Sequence, residues 1–145
     1  RKQPPDDVQT VLAIARIADP RHLDGRAGIF CRGDGAGNGY ELTLDRAGAV
    51  RLDRVAGGKR TTLARGQARL EAASPPDSPV PLFLVCGRGD ESGPNVVFTA
   101  GAQEAAGVRD PSPLPPGAGS RAGMVVDGKA GDSARFTVFT LTYGP

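Results

Sequence analysis

Hydrophobic and polar residues alternate along most of the chain, and a period of two is what a β-strand with one wet face requires. From Tyr40 to Asp45, apolar Tyr40, Leu42 and Leu44 alternate with Glu41, Thr43 and Asp45. Arg46-Ala47-Gly48 then supplies a turn, and Val50 and Leu52 alternate with Arg51 and Asp53 in a second strand, so the two form a hairpin. Gly57-Gly58 turns the chain again into a short strand from Arg60 to Ala64. Residues 38 to 64 therefore read as a meander with an arginine-rich polar face.

The same reading extends outward. Val8 to Ile17 is apolar on both faces, as in a strand covered on each side, and Asp19-Pro20 stops it. Val80 to Cys86 reads as a buried central strand, followed by Asn95 to Thr99, a weaker Gln103 to Val108, Gly123 to Val126 and Arg135 to Thr142. That predicts about ten strands. Helical spacing is confined to Leu63 to Ala73, where Gly66 interrupts it, so this stretch is expected to be a short helix or an irregular crossover. Ser74 to Pro81 is proline-rich and reads as a loop or extended connection, and Pro111 to Gly119 as a second surface loop. Ten short strands that must bury one another without helices predict an all-β, antiparallel two-sheet sandwich, with a barrel as the runner-up.

Composition agrees. The chain has 145 residues, enough for one domain, with 21 Gly and 13 Pro to make turns. Residues 1 to 7 read as a linker from a longer polypeptide and residues 8 to 145 as the domain. A net charge of +2 with closely alternating Arg and Asp shows no basic stripe for nucleic acid. No apolar run approaches the roughly 20 residues of a membrane-spanning helix, so no membrane insertion is expected in this segment. Aromatics at 5% and the absence of Trp weigh against an indole sugar platform.

Cys31 and Cys86 each sit in an apolar run, Gly28-Ile29-Phe30-Cys31-Arg32 and Leu82-Phe83-Leu84-Val85-Cys86-Gly87. His22 is the sole histidine, so a zinc site lacks ligands. The pair reads as a disulfide between two strands, the alternative being two buried free thiols. A bond closing so long a loop stabilises a fold by roughly 4 kcal/mol in the chain-entropy model. It would also imply an oxidising compartment and thus an exported, extracellular or cell-surface location.

These pieces, together with Gly39-Tyr40, Asn95 to Gly101, Asp110 to Met124 and Phe136-Thr137-Val138-Phe139, follow an order that resembles a bacterial concanavalin A-like, laminin-G-type jelly roll. Such domains occur in exported proteins and in the outer regions of membrane kinases. The resemblance spans about Val8 to Tyr143 and implies that Cys31-Arg32 and Cys86-Gly87 carry the partner cysteines of a disulfide. The chain departs from that group at Ala100-Gly101, where Asn-Gly is usual, and at Thr137, where Asp is usual.

Catalytic chemistry is sparse. A glycosidase needs two carboxylates about 5 to 9 Å apart. Glu41 and Asp45 share a strand face but stand roughly 13 Å apart at the strand rise. His22 has no nucleophile-elbow partner. Calcium candidates Asp34, Asp127 and Asp132 lack the spacing of a dedicated loop, so no cofactor and no metal is expected. Arg32-Gly33-Asp34 and Arg88-Gly89-Asp90 match integrin tripeptides but read as chance at strand exits. The expectation is a non-catalytic extracellular module binding a cell-surface glycan or cell-wall polymer. A protein-interaction or dimerisation domain of a larger surface protein, such as a kinase, is the alternative, and a glycoside hydrolase the lesser one. Candidate ligand contacts are Arg32, Asn38, Tyr40, Arg51, Arg54 and Arg88, with Tyr40 also a core candidate because it shares a face with Leu42 and Leu44. Arg32 and Arg88 follow the cysteines, so a disulfide would gather them at one rim suited to an anionic ligand, the favoured alternative being that Asp34, Asp53 and Asp90 neutralise the neighbouring arginines in solvated pairs.

Overall fold

A computed structural model describes residues 8–16, 25–68, 79–87, 96–100, 106–114, 121–128 and 135–144. Ten strands occur among them: β1 (Val8–Arg16), β2 (Arg26–Gly33), β3 (Gly39–Leu44), β4 (Ala49–Ala56), β5 (Lys59–Gln67), β6 (Pro79–Cys86), β7 (Val96–Ala100), β8 (Ala106–Val108), β9 (Arg121–Asp127) and β10 (Arg135–Gly144). They form two five-stranded sheets, in the orders β5-β4-β3-β2-β9 (the front sheet) and β10-β1-β6-β7-β8 (the back sheet). Every pairing is antiparallel. The all-β sandwich expected from the alternation is the fold observed.

Alternation sets which side chains meet between the sheets. Ile29 and Cys31 of β2, Leu42 and Leu44 of β3, and Val50 and Leu52 of β4 are buried, as are Leu82, Leu84 and Cys86 of β6 and Val96 and Phe98 of β7. At about 25 cal/mol per Å2 of apolar surface removed from water, burying each Leu or Ile contributes about 1.5–3 kcal/mol. Cys31 and Cys86 are bonded across this core, with Cα atoms 6.4 Å apart, so the disulfide joins the front sheet to the back sheet.

Turn chemistry fixes the front-sheet register. Asp45 Oδ1 accepts from the amides of Ala47 and Ala49, each at 2.9 Å, while Gly48 takes φ 83°. Gly57 and Gly58 take φ 60° and 77°, the pair of left-handed residues that a tight two-residue hairpin demands.

Two details differ from the sequence expectation. Leu63 to Gln67 is strand, because the period of two is broken by a β-bulge: Leu52 pairs with Ala64 and Asp53 with Thr62, leaving Leu63 as the extra residue. Ala68 lies beyond the strand, and the remainder of that stretch lies outside the described residues. The Ser74 to Pro81 loop ends earlier than expected, since Pro79 and Pro81 belong to β6. Both lie before Leu82, where the pairing with β7 starts, so among the described residues β6 there pairs with β1 alone, where a missing N–H is tolerated.

Candidate functional site

The front sheet turns an unusually polar face outward. Across one row Thr62 faces Asp53, Asp53 faces Glu41, Glu41 faces Phe30 and Phe30 faces Gly123. Asp53 is buried although it points away from the core, because arginines roof it. Its Oδ2 accepts from Arg51 Nε at 2.6 Å and from Arg60 Nη1 at 2.8 Å, and its Oδ1 accepts from Thr62 Oγ1 at 2.8 Å. Arg60 Nη1 also donates to Glu41 Oε2 at 2.7 Å. Glu41 and Asp53 are thus cross-strand neighbours clamped by one guanidinium, a carboxylate pair that same-strand spacing misses. The two arginines balance the two acids, leaving the cluster without net charge.

One strand end further on, Arg26 donates from Nε to Thr43 Oγ1 at 2.9 Å and from Nη2 to the Thr43 and Ala49 carbonyls at 3.0 and 2.6 Å. Burial, and after it the nearby Arg51, lowers its pKa below the ordinary arginine value, while Asp45 and Asp53 act in the opposite direction. Arg26 therefore braces the β3–β4 hairpin.

At the β9 end of the face the chemistry changes. A β-bulge places Cys31 and Arg32 of β2 against a single residue of β9, since Phe30 pairs with Gly123 and Gly33 with Arg121. Arg32 takes φ 55°, a left-handed conformation uncommon outside glycine. The extra residue brings Gly33 to the same outer face as Phe30. A β-carbon on Gly33 would stand 2.6 Å from the Phe30 ring, and one on Gly123 would stand 2.9 Å from its opposite edge. The ring therefore occupies the space both side chains would need, laid across the sheet between two glycines.

Beyond the bulge, Asp34-Gly35-Ala36-Gly37-Asn38 forms the β2–β3 loop, between Gly33 at the end of β2 and Gly39 at the start of β3. Asp34 organises it: Oδ1 accepts from the Ala36 and Asn38 amides at 2.8 and 3.2 Å, and Oδ2 accepts from Asn38 Nδ2 at 2.6 Å. These bonds, the Asn38 side chain's first, hold the Asp34 carboxyl below the usual carboxylate range. Asn38 Oδ1 in turn accepts from the Gly57 amide at 2.9 Å, tying this loop to the β4–β5 turn. Phe30, the loop glycines, Asn38, Glu41, Arg121, Met124 and Val125 line a groove of about 250 Å3.

The sequence candidates are placed unevenly. Asn38 lines the groove and Arg51 lies on the same outer face, bound to Asp53. Tyr40 and Arg54 share the inner face: the Tyr40 hydroxyl donates to Asp110 Oδ2 at 2.9 Å and accepts from the Leu114 amide at 3.1 Å, and Arg54 Nη1 pairs with Asp110 Oδ1. That buried triad pins the 109–114 segment to the end of the sandwich. Burial first of all pushes the Tyr40 phenol up to about 12. Arg32 is buried at the bulge, so it does not stand at a solvent rim. Arg88, with its Arg-Gly-Asp tripeptide, and His22 and Asp132 lie outside the described residues. In the other tripeptide Arg32 is buried and the Asp34 carboxylate is held by its own loop, so the two charges are not presented together. Phe30, Glu41, Asp53, Arg60 and Arg121 are the face residues that sequence reasoning left out of the site. Phe30 sits in a run apolar on both sides, and nothing but register reveals the glycines beside it.

No protein-family model matches the sequence, and no curated protein does. Solved structures share the architecture. The GH43 protein BlXynB from Bacillus licheniformis aligns with TM-score 0.62 and 16% identity over 92% of this chain, which spans 27% of that protein's length. The carbohydrate-binding module CBM66 from Bacillus subtilis aligns with TM-score 0.59 and 15% identity, covering 93% of this chain and 74% of the module. Sheep galectin-11, in complex with glycerol, aligns with TM-score 0.53 and 15% identity, covering 93% and 90% respectively. The chain has the β-sandwich fold of these proteins, and identities this low speak to fold alone.

Proposed function

We propose that this chain is a non-catalytic glycan-binding module of an exported bacterial protein, of the laminin-G-like jelly-roll kind, with its site on the outer face of the front sheet. The observation that carries the reading is the Phe30 ring, held across the sheet by two glycines beside a groove edged with amide, carboxylate and guanidinium groups. A flat apolar surface flanked by a few fixed polar groups suits a sugar ring, whose C–H face is apolar and whose rim of hydroxyls needs hydrogen-bond partners. Similarity of fold to a carbohydrate-binding module and a galectin supports the same reading. The disulfide supports an oxidising, extracellular location.

The way the described carboxylates are used supports a non-catalytic role. Cross-strand neighbours have Cβ atoms about 4.5–5.5 Å apart, so Glu41 and Asp53 are close enough for glycosidase geometry. However, Asp53 is buried beneath two arginines and a threonine, and Glu41 is engaged by Arg60, so both acids are already taken up by hydrogen bonds within the face. A glycan array probed with the wild-type domain and with Phe30→Ala tests the proposal. Saccharide binding that is lost in a folded Phe30→Ala variant is the expected result, and an array without any bound saccharide would overturn it.

A further inference from the structure

We propose that the groove beside Phe30 selects saccharides that carry a carboxylate, and that Arg121 is the residue that reads it. The inference rests on the glycan-binding reading and adds a ligand class and a polarity to it. Arg121 is exposed at the start of β9, directly opposite Gly33 in the register, and it lines the groove. Its guanidinium lies over Gly35, whose missing β-carbon leaves room for it.

Among the described residues, the other charged groups near the groove have hydrogen-bond partners within the protein. Arg51 and Arg60 are committed to Asp53 and Glu41. The nearest loop acid, Asp34, spends both oxygens on the Ala36 and Asn38 amides and the Asn38 side chain. Arg121 has no carboxylate partner among the described residues. A guanidinium presents two parallel N–H donors that fit a carboxylate, and such a charge-assisted pair beside an apolar ring is stronger than a neutral contact.

A sugar ring resting on Phe30 and extending toward Gly35 would bring a ring carboxylate to the Arg121 fork. At the opposite end, Glu41 and Arg60 form a neutral, hydrogen-bonding pair suited to hydroxyls. The groove is therefore polar in the sense of direction: acid at the β9 end, hydroxyls at the β3 end where Glu41 lines it. Uronic acids and other carboxylated sugars meet this description, whereas a uniformly neutral polymer leaves Arg121 unsatisfied.

The test is calorimetric titration of the domain with tetragalacturonate and with the same tetramer fully methyl-esterified, which keeps the ring skeleton and removes the charge. Wild type is expected to bind the acid about tenfold or more tightly than the ester, the worth of one charge-assisted hydrogen bond. Arg121→Gln is expected to level the two while leaving the melting temperature unchanged, since the side chain is exposed, and Arg121→Lys to restore part of the preference. Equal affinity of wild type for acid and ester, or a preference that survives in Arg121→Gln, would overturn the role of Arg121 while leaving glycan binding intact. Failure of both tetramers, with neutral saccharides bound on an array, would overturn the acidic class. Failure of every saccharide would remove the glycan reading itself.

Discussion

The Tyr40 hydroxyl donates to Asp110 Oδ2 at 2.9 Å inside the protein, across seventy residues of chain. The same carboxylate receives Arg54 and the Ser112 amide, the latter at 3.0 Å, and the same hydroxyl accepts from the Leu114 amide. Tyr40, a candidate both for ligand contact and for the core, is thus a core residue and the post to which a distant segment is tied.

Tyr40→Phe is predicted to cost about 1–3 kcal/mol, because it strands the Leu114 amide and removes a donor from a buried carboxylate. The pH dependence has a definite sign. Burial raises the phenol from 10.0 to about 12, so the folded state prefers the neutral form. That contribution is intact below about pH 10 and is lost as pH rises toward 12. Denaturant titrations of wild type and Tyr40→Phe across this range check it: the difference between them should shrink with rising pH, and a constant difference would contradict the assignment.

Asp53→Ala is predicted to destabilise the domain by about 3 kcal/mol, since it leaves Arg51 and Arg60 facing one another without their shared acid. The cost should fall when Arg51 is also replaced by Met. Additive losses in that double-variant comparison would show that the cluster does not act as a unit.

Reduction of Cys31–Cys86, or Cys86→Ala, is predicted to cost about 2–5 kcal/mol, because the bond closes a long loop and joins the two sheets. Alkylation of unfolded, unreduced protein checks the bond directly: free thiols there would contradict it and remove the argument for an oxidising compartment.

Much of this fold was legible as alternation. Leu42, Leu44, Val50 and Leu52 face inward as their spacing requires, and Asp45 and the Gly57-Gly58 pair mark their turns. Bulges were not legible. Leu63 interrupts the period of two and imitates a helical spacing, and nothing in the letters of Cys31-Arg32-Gly33 announces that Arg32 takes a left-handed conformation. The site depends on that second bulge, since it alone puts Gly33 beside Phe30. Partners such as Phe30 with Gly123 and Tyr40 with Asp110 are set by sheet order, which spacing along one strand does not encode. Arginine abundance was visible in the sequence, but which arginines are neutralised depends on cross-strand register.

Gly123→Ala is predicted to weaken saccharide binding while leaving the fold intact, because its β-carbon would displace the Phe30 ring. Stability should show coupling of about 0.5 kcal/mol or more between the two positions: Gly123→Ala should be costly beside Phe30 and nearly neutral in the Phe30→Ala background. Equal costs in both backgrounds would mean that the ring does not occupy the glycine space.

The most direct measurement is an amide NMR titration of the wild-type domain with the saccharide that binds best on the array. Shifts are expected to concentrate at Phe30, at Gly33, Gly35, Gly37 and Gly39 in and beside the β2–β3 loop, and at Arg121, with little change at Ser112 or Leu114 beside the buried triad. Shifts confined to the 109–114 segment or to the back sheet, with the Phe30 groove unmoved, would contradict it.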